Sequence, residues 1–282
     1  MANGLEGARG RVREEQRATG GYREPILCQP DDRKSCAWCC GLYNVRDSGK
    51  EHLVRRLRRR TRNFARTARA PEAIIGYGEE TKAEERLQLL DPDFYSCEFT
   101  GFLDANETRV GCLLNPMGHG NDSTDWRGLS FHGGCACGGF LCRGFRELSP
   151  VEREIVLATI DDWYLYGLII SDVDFVKAVV HLVDLALGRS LTLEQGLSPP
   201  VLEAICELFR WKVDPLLAHQ SGRSVQPLDA GGPAHVLGKS RFESWPGLEG
   251  ALAGLRLGSL SPPEREQIAI RLDRGLAPLG GL

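Results

Sequence analysis

The chain has 282 residues, 42% hydrophobic and 26% charged, with a formal net charge of −3. That is enough length and apolar content for a sizeable core, and it argues against a disordered acidic tail or a globally basic nucleic-acid binder. The most apolar runs, Tyr164–Ile170 and the stretch 179–187 broken by His181 and Asp184, fall short of a membrane span, and residues 1–22 lack the apolar region of a secretory signal. The expectation is a cytoplasmic protein with no membrane partner.

Residues 1–22 are rich in Gly and Arg with almost no large apolar side chains, and read as a mobile arm. The stretch 23–148 carries the cysteines, 149–220 reads as a helical unit, and 221–282 as a linker with a helical appendix. The overall expectation is a mainly α chain with a cysteine-rich, loop-dominated metal-binding lobe. No internal repeat is present.

Between Glu51 and Arg69, Leu53, Leu57, Phe64 and Ala68 recur at helical spacing, and Pro71 is read as the stop. Arg55, Arg56, Arg58, Arg59, Arg60 and Arg62 cover the rest of this helix and could meet a polyanion or an acidic protein partner; a solvated face or an internal acidic partner is the plainer reading. A second helix is expected over about 79–90, ending before Asp91-Pro92. Positions 93–146 predict loops and one short hairpin, 97–103 against 109–114. A loop of that length needs something to hold it, and metal ligation would serve.

Downstream, Ser149-Pro150-Val151-Glu152 is a capping box opening a helix to about Asp162. The acidic pair Asp161 and Asp162 is read as a solvent-facing helix end. Another helix spans Asp172–Leu187 and stops at Gly188; Ser198-Pro199-Pro200 begins one reaching about Val213. A Gly/Pro-rich linker covers 221–240, and Ser261-Pro262-Pro263-Glu264 starts a last helix to about Leu272. Gly238-Lys239-Ser240 lacks the first glycine of a phosphate loop, that position being Pro233, and is set aside.

Nine of the ten cysteines lie between positions 28 and 142. In a reducing compartment such thiols favour metal ligation over disulfides. Thiolate is the soft ligand that selects zinc or iron–sulfur clusters, and Cys36 and Cys39 have the Cys-x₂-Cys spacing in which two sulfurs reach one ion. Cys40 adjoins Cys39, and neighbouring side chains diverge, so the doublet hints at more than one centre. Cys112, and the clamp of Cys137 with Cys142 between flanking glycines, extend the set; Cys28 and Cys97 complete eight candidate metal ligands. Cys135, His119 and His132 are alternative ligands, and Cys206 is assigned to an apolar helical face. The plain alternative for some of these, Cys97 especially, is a buried cysteine acting as a small hydrophobe.

Cys36-Ala37-Trp38-Cys39-Cys40-Gly41, with the later cysteines, resembles the YkgJ-type CxxCxxCC cysteine-cluster family of zinc- or iron-chelating domains, which is related to flagellin lysine methylase. The resemblance covers roughly 28–145 and carries over Cys36, Cys39 and Cys40; Arg33 stands where the motif has its first cysteine. It implies chelation of zinc or an iron–sulfur cluster. An iron–sulfur redox or protein-modifying enzyme is the alternative it raises, and no catalytic residue is assigned.

Overall fold

The computed structural model describes residues 26–135, 137, 141–214 and 261–280. The expected arm 1–22, the linker 221–240 and Gly238-Lys239-Ser240 lie outside the described residues. The fold is mainly helical. Its helices are α1 (Lys50–Ala65), α2 (Pro71–Glu85), α3 (Phe131–Cys135), α4 (Arg143–Glu147), α5 (Pro150–Thr159), α6 (Trp163–Ile170), α7 (Val173–Leu187), α8 (Leu193–Gly196), α9 (Pro199–Arg210) and α10 (Pro262–Leu276). Strands β1 (Thr100–Phe102) and β2 (Val110–Cys112) form the expected hairpin as a two-stranded antiparallel sheet, with Thr100 opposite Cys112.

Three of the helix expectations shift, and the helix expected over about 79–90 spans Pro71–Glu85, ending at a left-handed Arg86. Pro71 does not stop α1, which ends at Ala65; it opens α2, where a proline in the first turn loses no hydrogen bond and has φ preset for helix. The apolar run beginning at Trp163 forms its own helix, because Asp162 caps it: Oδ1 accepts from the N–H groups of Tyr164 at 3.1 Å and Leu165 at 3.2 Å. Asp162 thus starts a helix rather than ending one, and Asp161 pairs with Arg33 at 3.0 Å. The capping box at Ser149 and the left-handed Gly188 stop occur as expected.

Buried side chains gather in two cores. The first is helical, built on Ile155, Tyr166, Ile169, Phe175, Val183, Ile205 and Phe209. Ile268, Leu272 and Leu276 of α10 belong to it, so the C-terminal helix is part of this packing. The second core joins Leu53, Leu57 and Phe64 of α1 to Ile74 and Tyr77 of α2, Phe99, Phe102, Val110 and Leu114. Trp163 and Tyr164, at the start of α6, insert into this second core. Tyr43 locks the junction: its hydroxyl donates to the carbonyls of Trp163 or Tyr164, at 3.3 and 3.2 Å. A Cβ on Gly167 would lie 2.1 Å from that hydroxyl, which is why no larger residue fits there.

Arg60 departs from the polar face assigned to it. With 2% exposure on each side, it forms a buried pair with Glu85 of α2 at 2.6 Å and donates to the Cys97 carbonyl at 2.7 Å. Burial alone would raise the Glu85 pKa, but hydrogen bonds and charge from Arg60, then Arg59 and Arg56, hold it below the usual glutamate range. A group depressed in this way adds stability above its unfolded pKa of about 4.3, and that contribution is lost as pH falls through the lower folded value. Glu85→Gln removes the counter-charge and leaves a buried guanidinium, with an expected loss of about 3–5 kcal/mol. Urea unfolding at neutral pH measures it. The variant's stability should also fall less than the parent's between about pH 5 and pH 3, because the titrating group is gone.

Candidate metal centre

The cysteine turn is placed by backbone contacts. Cys36 N–H donates to the Cys28 carbonyl at 2.9 Å, closing the loop between them, and Cys40 and Gly41 N–H donate back to Ala37 and Trp38. Ser35 Oγ accepts from Val110 N–H at 2.6 Å and Gln29 Nε2 donates to the Val110 carbonyl at 2.9 Å, so this loop is strapped to β2 beside Cys112. Gly41 has φ +69°, and a Cβ there would sit 2.0 Å from the Tyr95 carbonyl oxygen. Only glycine permits that approach. Beside it, Cys97 N–H donates to the Cys40 carbonyl at 2.8 Å.

The stretch 93–146, expected to need an outside fastener, is held in part by two asparagines. Asn44 Nδ2 donates to the carbonyls of Asp91 at 2.8 Å and Phe94 at 2.5 Å, while its Oδ1 accepts from Asp91 N–H. Asn121 Nδ2 donates to Leu113 and Asn115, and its Oδ1 accepts from Arg69 Nε at 2.8 Å. Loop asparagines that hydrogen-bond backbone are a sequence signal in general, but nothing in the sequence indicates which distant segment they grip.

All eight candidate ligands are free thiols. Their mutual influence on ionisation sorts them into two neighbourhoods. Cys28 is crowded by Cys39, Cys142 and Cys137, and Cys36 by Cys39, Cys28 and Cys142. On the other side, Cys40 is crowded by Cys97 and Cys112, and Cys97 by Cys112. Cys137 touches both groups, acting on Cys28 and on Cys112. By mutual influence Cys28, Cys36, Cys39 and Cys142 form a quartet and Cys40, Cys97 and Cys112 a triad, linked by the adjacent Cys39 and Cys40. Cys36 packs against the helical core, whereas Cys40 and Cys97 belong to the second core.

Desolvation first, and neighbouring thiols second, push Cys28 and Cys112 each up to about 11 and Cys36 well above the ordinary range. Cys112 is also crowded by Cys137, against opposing backbone N–H groups. Cys39 is the exception. The Cys40 thiol donates to it, the backbone N–H groups of Cys39 and Cys40 add to this, and together they hold its pKa below the ordinary thiol range despite burial. The same hydrogen bond holds Cys40 in its neutral form.

Among the alternative ligands, His132 lies against the turn: its ring stacks on Tyr95 at 5.1 Å, and Nε2 is 2.9 Å from the Cys39 carbonyl. A carbonyl only accepts, so Nε2 carries a proton, and in the neutral ring Nδ1 is the nitrogen left to ligate. His119 is exposed, its carbonyl accepting from Arg69 at 3.0 Å. The Cys135 side chain lies outside the described residues. Cys206 is half-buried, with its thiol 3.5 Å from the Thr159 carbonyl. Among the described residues, no three Cys, His, Asp or Glu side chains form a ready-made cation site. No helix of the described residues is long and apolar enough to cross a membrane.

No family model, curated protein or solved structure matches the chain.

In reduced, metal-stripped protein, Cys39 should be the first of these thiols alkylated by iodoacetamide as pH rises. Its labelling midpoint should lie below the ordinary thiol value of 9.0. In Cys40→Ala the donor is lost and the midpoint should move up toward that value, read by mass mapping of labelled peptides.

Proposed function

We propose that this is a metal-binding protein whose cysteine lobe chelates zinc or an iron–sulfur cluster. What supports the reading is that free thiols from segments over a hundred residues apart influence one another's ionisation, Cys28, Cys36 and Cys39 with Cys142, and Cys40 with Cys97 and Cys112. Cys28, Cys36, Cys40, Cys97 and Cys112, desolvated and crowded in this way, resist ionisation, and a soft cation reverses that by taking up the negative charge. The donor chemistry fits zinc or iron. Among the described residues no three such side chains already form a cation site, so the proposal holds only if the sulfurs draw together on binding. The YkgJ-type resemblance points the same way for Cys36, Cys39 and Cys40.

In this reading Cys28, Cys36, Cys39 and Cys142 hold one centre. Cys40, Cys97 and Cys112 belong to a second, with Cys137 available to either. A closed four-thiolate zinc site leaves no open coordination position, so its role is to hold the lobe together. A reducing compartment such as the cytoplasm, which keeps thiols free, is the setting we propose.

The test is purification without oxygen followed by metal analysis and a visible spectrum. Colourless protein with stoichiometric zinc supports the zinc form; brown protein with iron and sulfide supports the cluster form; protein free of both metals refutes the proposal. Cys36→Ser should release more metal per chain than Cys28→Ser, since Cys36 packs against the helical core and Cys28 is the more exposed of the two.

A further inference from the structure

The exposed face of α1 is a second feature, independent of the thiols. Arg55, Arg59, Arg62 and Arg66 fall within about 60° of one another around the helix and extend over about 16 Å of its length. All four are exposed, as is Arg58 beside them. Arg58 is held by a bidentate pair with Glu107 at 2.6 and 2.7 Å, and Arg59 by Glu85 at 2.8 Å. The side chains of Arg55, Arg62 and Arg66 make no ion pair among the described residues.

Between this face and the C-terminal end of α2 lies an open groove of about 560 Å³. Arg55, Arg56, Arg58, Arg59 and Arg62 line it, against Glu84, Glu85 and Leu87. Arg56 anchors one wall through a 2.9 Å bond to the Leu42 carbonyl, yet its Nε is buried with no hydrogen-bond partner. Burial and the neighbouring guanidinium of Arg60 push the Arg56 pKa down to about 10, so positive charges here are close enough to oppose one another. The two glutamates do not balance five arginines, and the local field is positive on a chain of net charge −3.

We infer that this face binds the phosphate backbone of a nucleic acid. Planar guanidinium forks match phosphate oxygens, and about 16 Å of helix spans roughly four to five phosphates of one strand. An acidic protein surface would also be attracted, but stable protein interfaces need buried aromatic or aliphatic anchors. Leu87 is the one apolar residue lining the groove. With no aromatic side chain there, bases have nothing to stack on, so recognition is by backbone and independent of sequence.

The experiment uses the full chain with a short fluorescent duplex of random sequence, followed by anisotropy over a salt series. Neutralising about three phosphates through Arg55, Arg62 and Arg66 predicts roughly a 40-fold loss of affinity between about 50 and 200 mM salt. The triple variant R55Q/R62Q/R66Q alters only exposed side chains, and circular dichroism checks that it keeps its fold. It should lose at least tenfold in affinity and most of the salt slope. No binding at low salt overturns the inference. Binding unchanged in the triple variant also overturns it, since the site is then elsewhere. A polyglutamate peptide competing as well as the duplex at equal charge overturns the assignment to nucleic acid in favour of an acidic protein.

Discussion

The turn Ala37–Gly41 is the constraint on which the arrangement of thiols depends. Ala37, Trp38, Cys39 and Cys40 all pack in the second core, whereas Cys36, just before the turn, packs against the helical one. The left-handed backbone at Gly41 then lets the chain run against the Tyr95 carbonyl, which brings Cys97 to the Cys40 carbonyl. A side chain at position 41 would displace that segment, and with it the triad. The division of the thiols thus follows from backbone geometry.

A second constraint acts from beneath. The Arg60–Glu85 pair joins α1 to α2, and the same guanidinium reaches the Cys97 carbonyl. Tyr77 of α2 completes the connection by donating to the Arg60 carbonyl at 3.1 Å. One buried arginine therefore supports the cysteine-bearing segment on one side while its neighbours Arg55, Arg59 and Arg62 project into solvent on the other. Such a pair is weak evidence for net stability, because desolvating two ions offsets much of their attraction. Its contribution is positional: nearly every alternative placement of α2 would strand a charge.

Much of the helical frame is legible from periodicity and caps. Ser149 with Glu152, Asp172 through Gly188, and Ser198-Pro199 mark helix ends by local chemistry, which sequence displays directly. The α1 stripe of Leu53, Leu57 and Phe64 is equally visible. Arg60 is not, because a buried arginine looks like its exposed neighbours until Glu85 is placed beside it. Pro71 carried two local meanings, stop and start, and only the chain direction after Ala65 decides between them. The candidate ligands could be named from their residue types and spacing. Their grouping into a quartet and a triad could not, since it depends on which distant segments the fold brings beside the cysteine turn. Asn44, Asn121 and His132 act through contacts 6 to 93 residues away in sequence, beyond any local pattern.

The two thiol groups share a single peptide link. In the proposed reading, a cation drawing in Cys39 pulls on the bond that also positions Cys40, and removes the acceptor to which the Cys40 thiol donates. Loss of that hydrogen bond frees Cys40 to ionise toward the triad, lowering one of the barriers to filling the second centre. Occupation of the two centres is therefore coupled through the doublet, and the coupling has a favourable sign as long as the two ions are far enough apart that their own repulsion stays small. In the proposed two-centre reading, adjacent cysteines do what two separated Cys-x₂-Cys turns cannot: they make each centre sensitive to the state of the other.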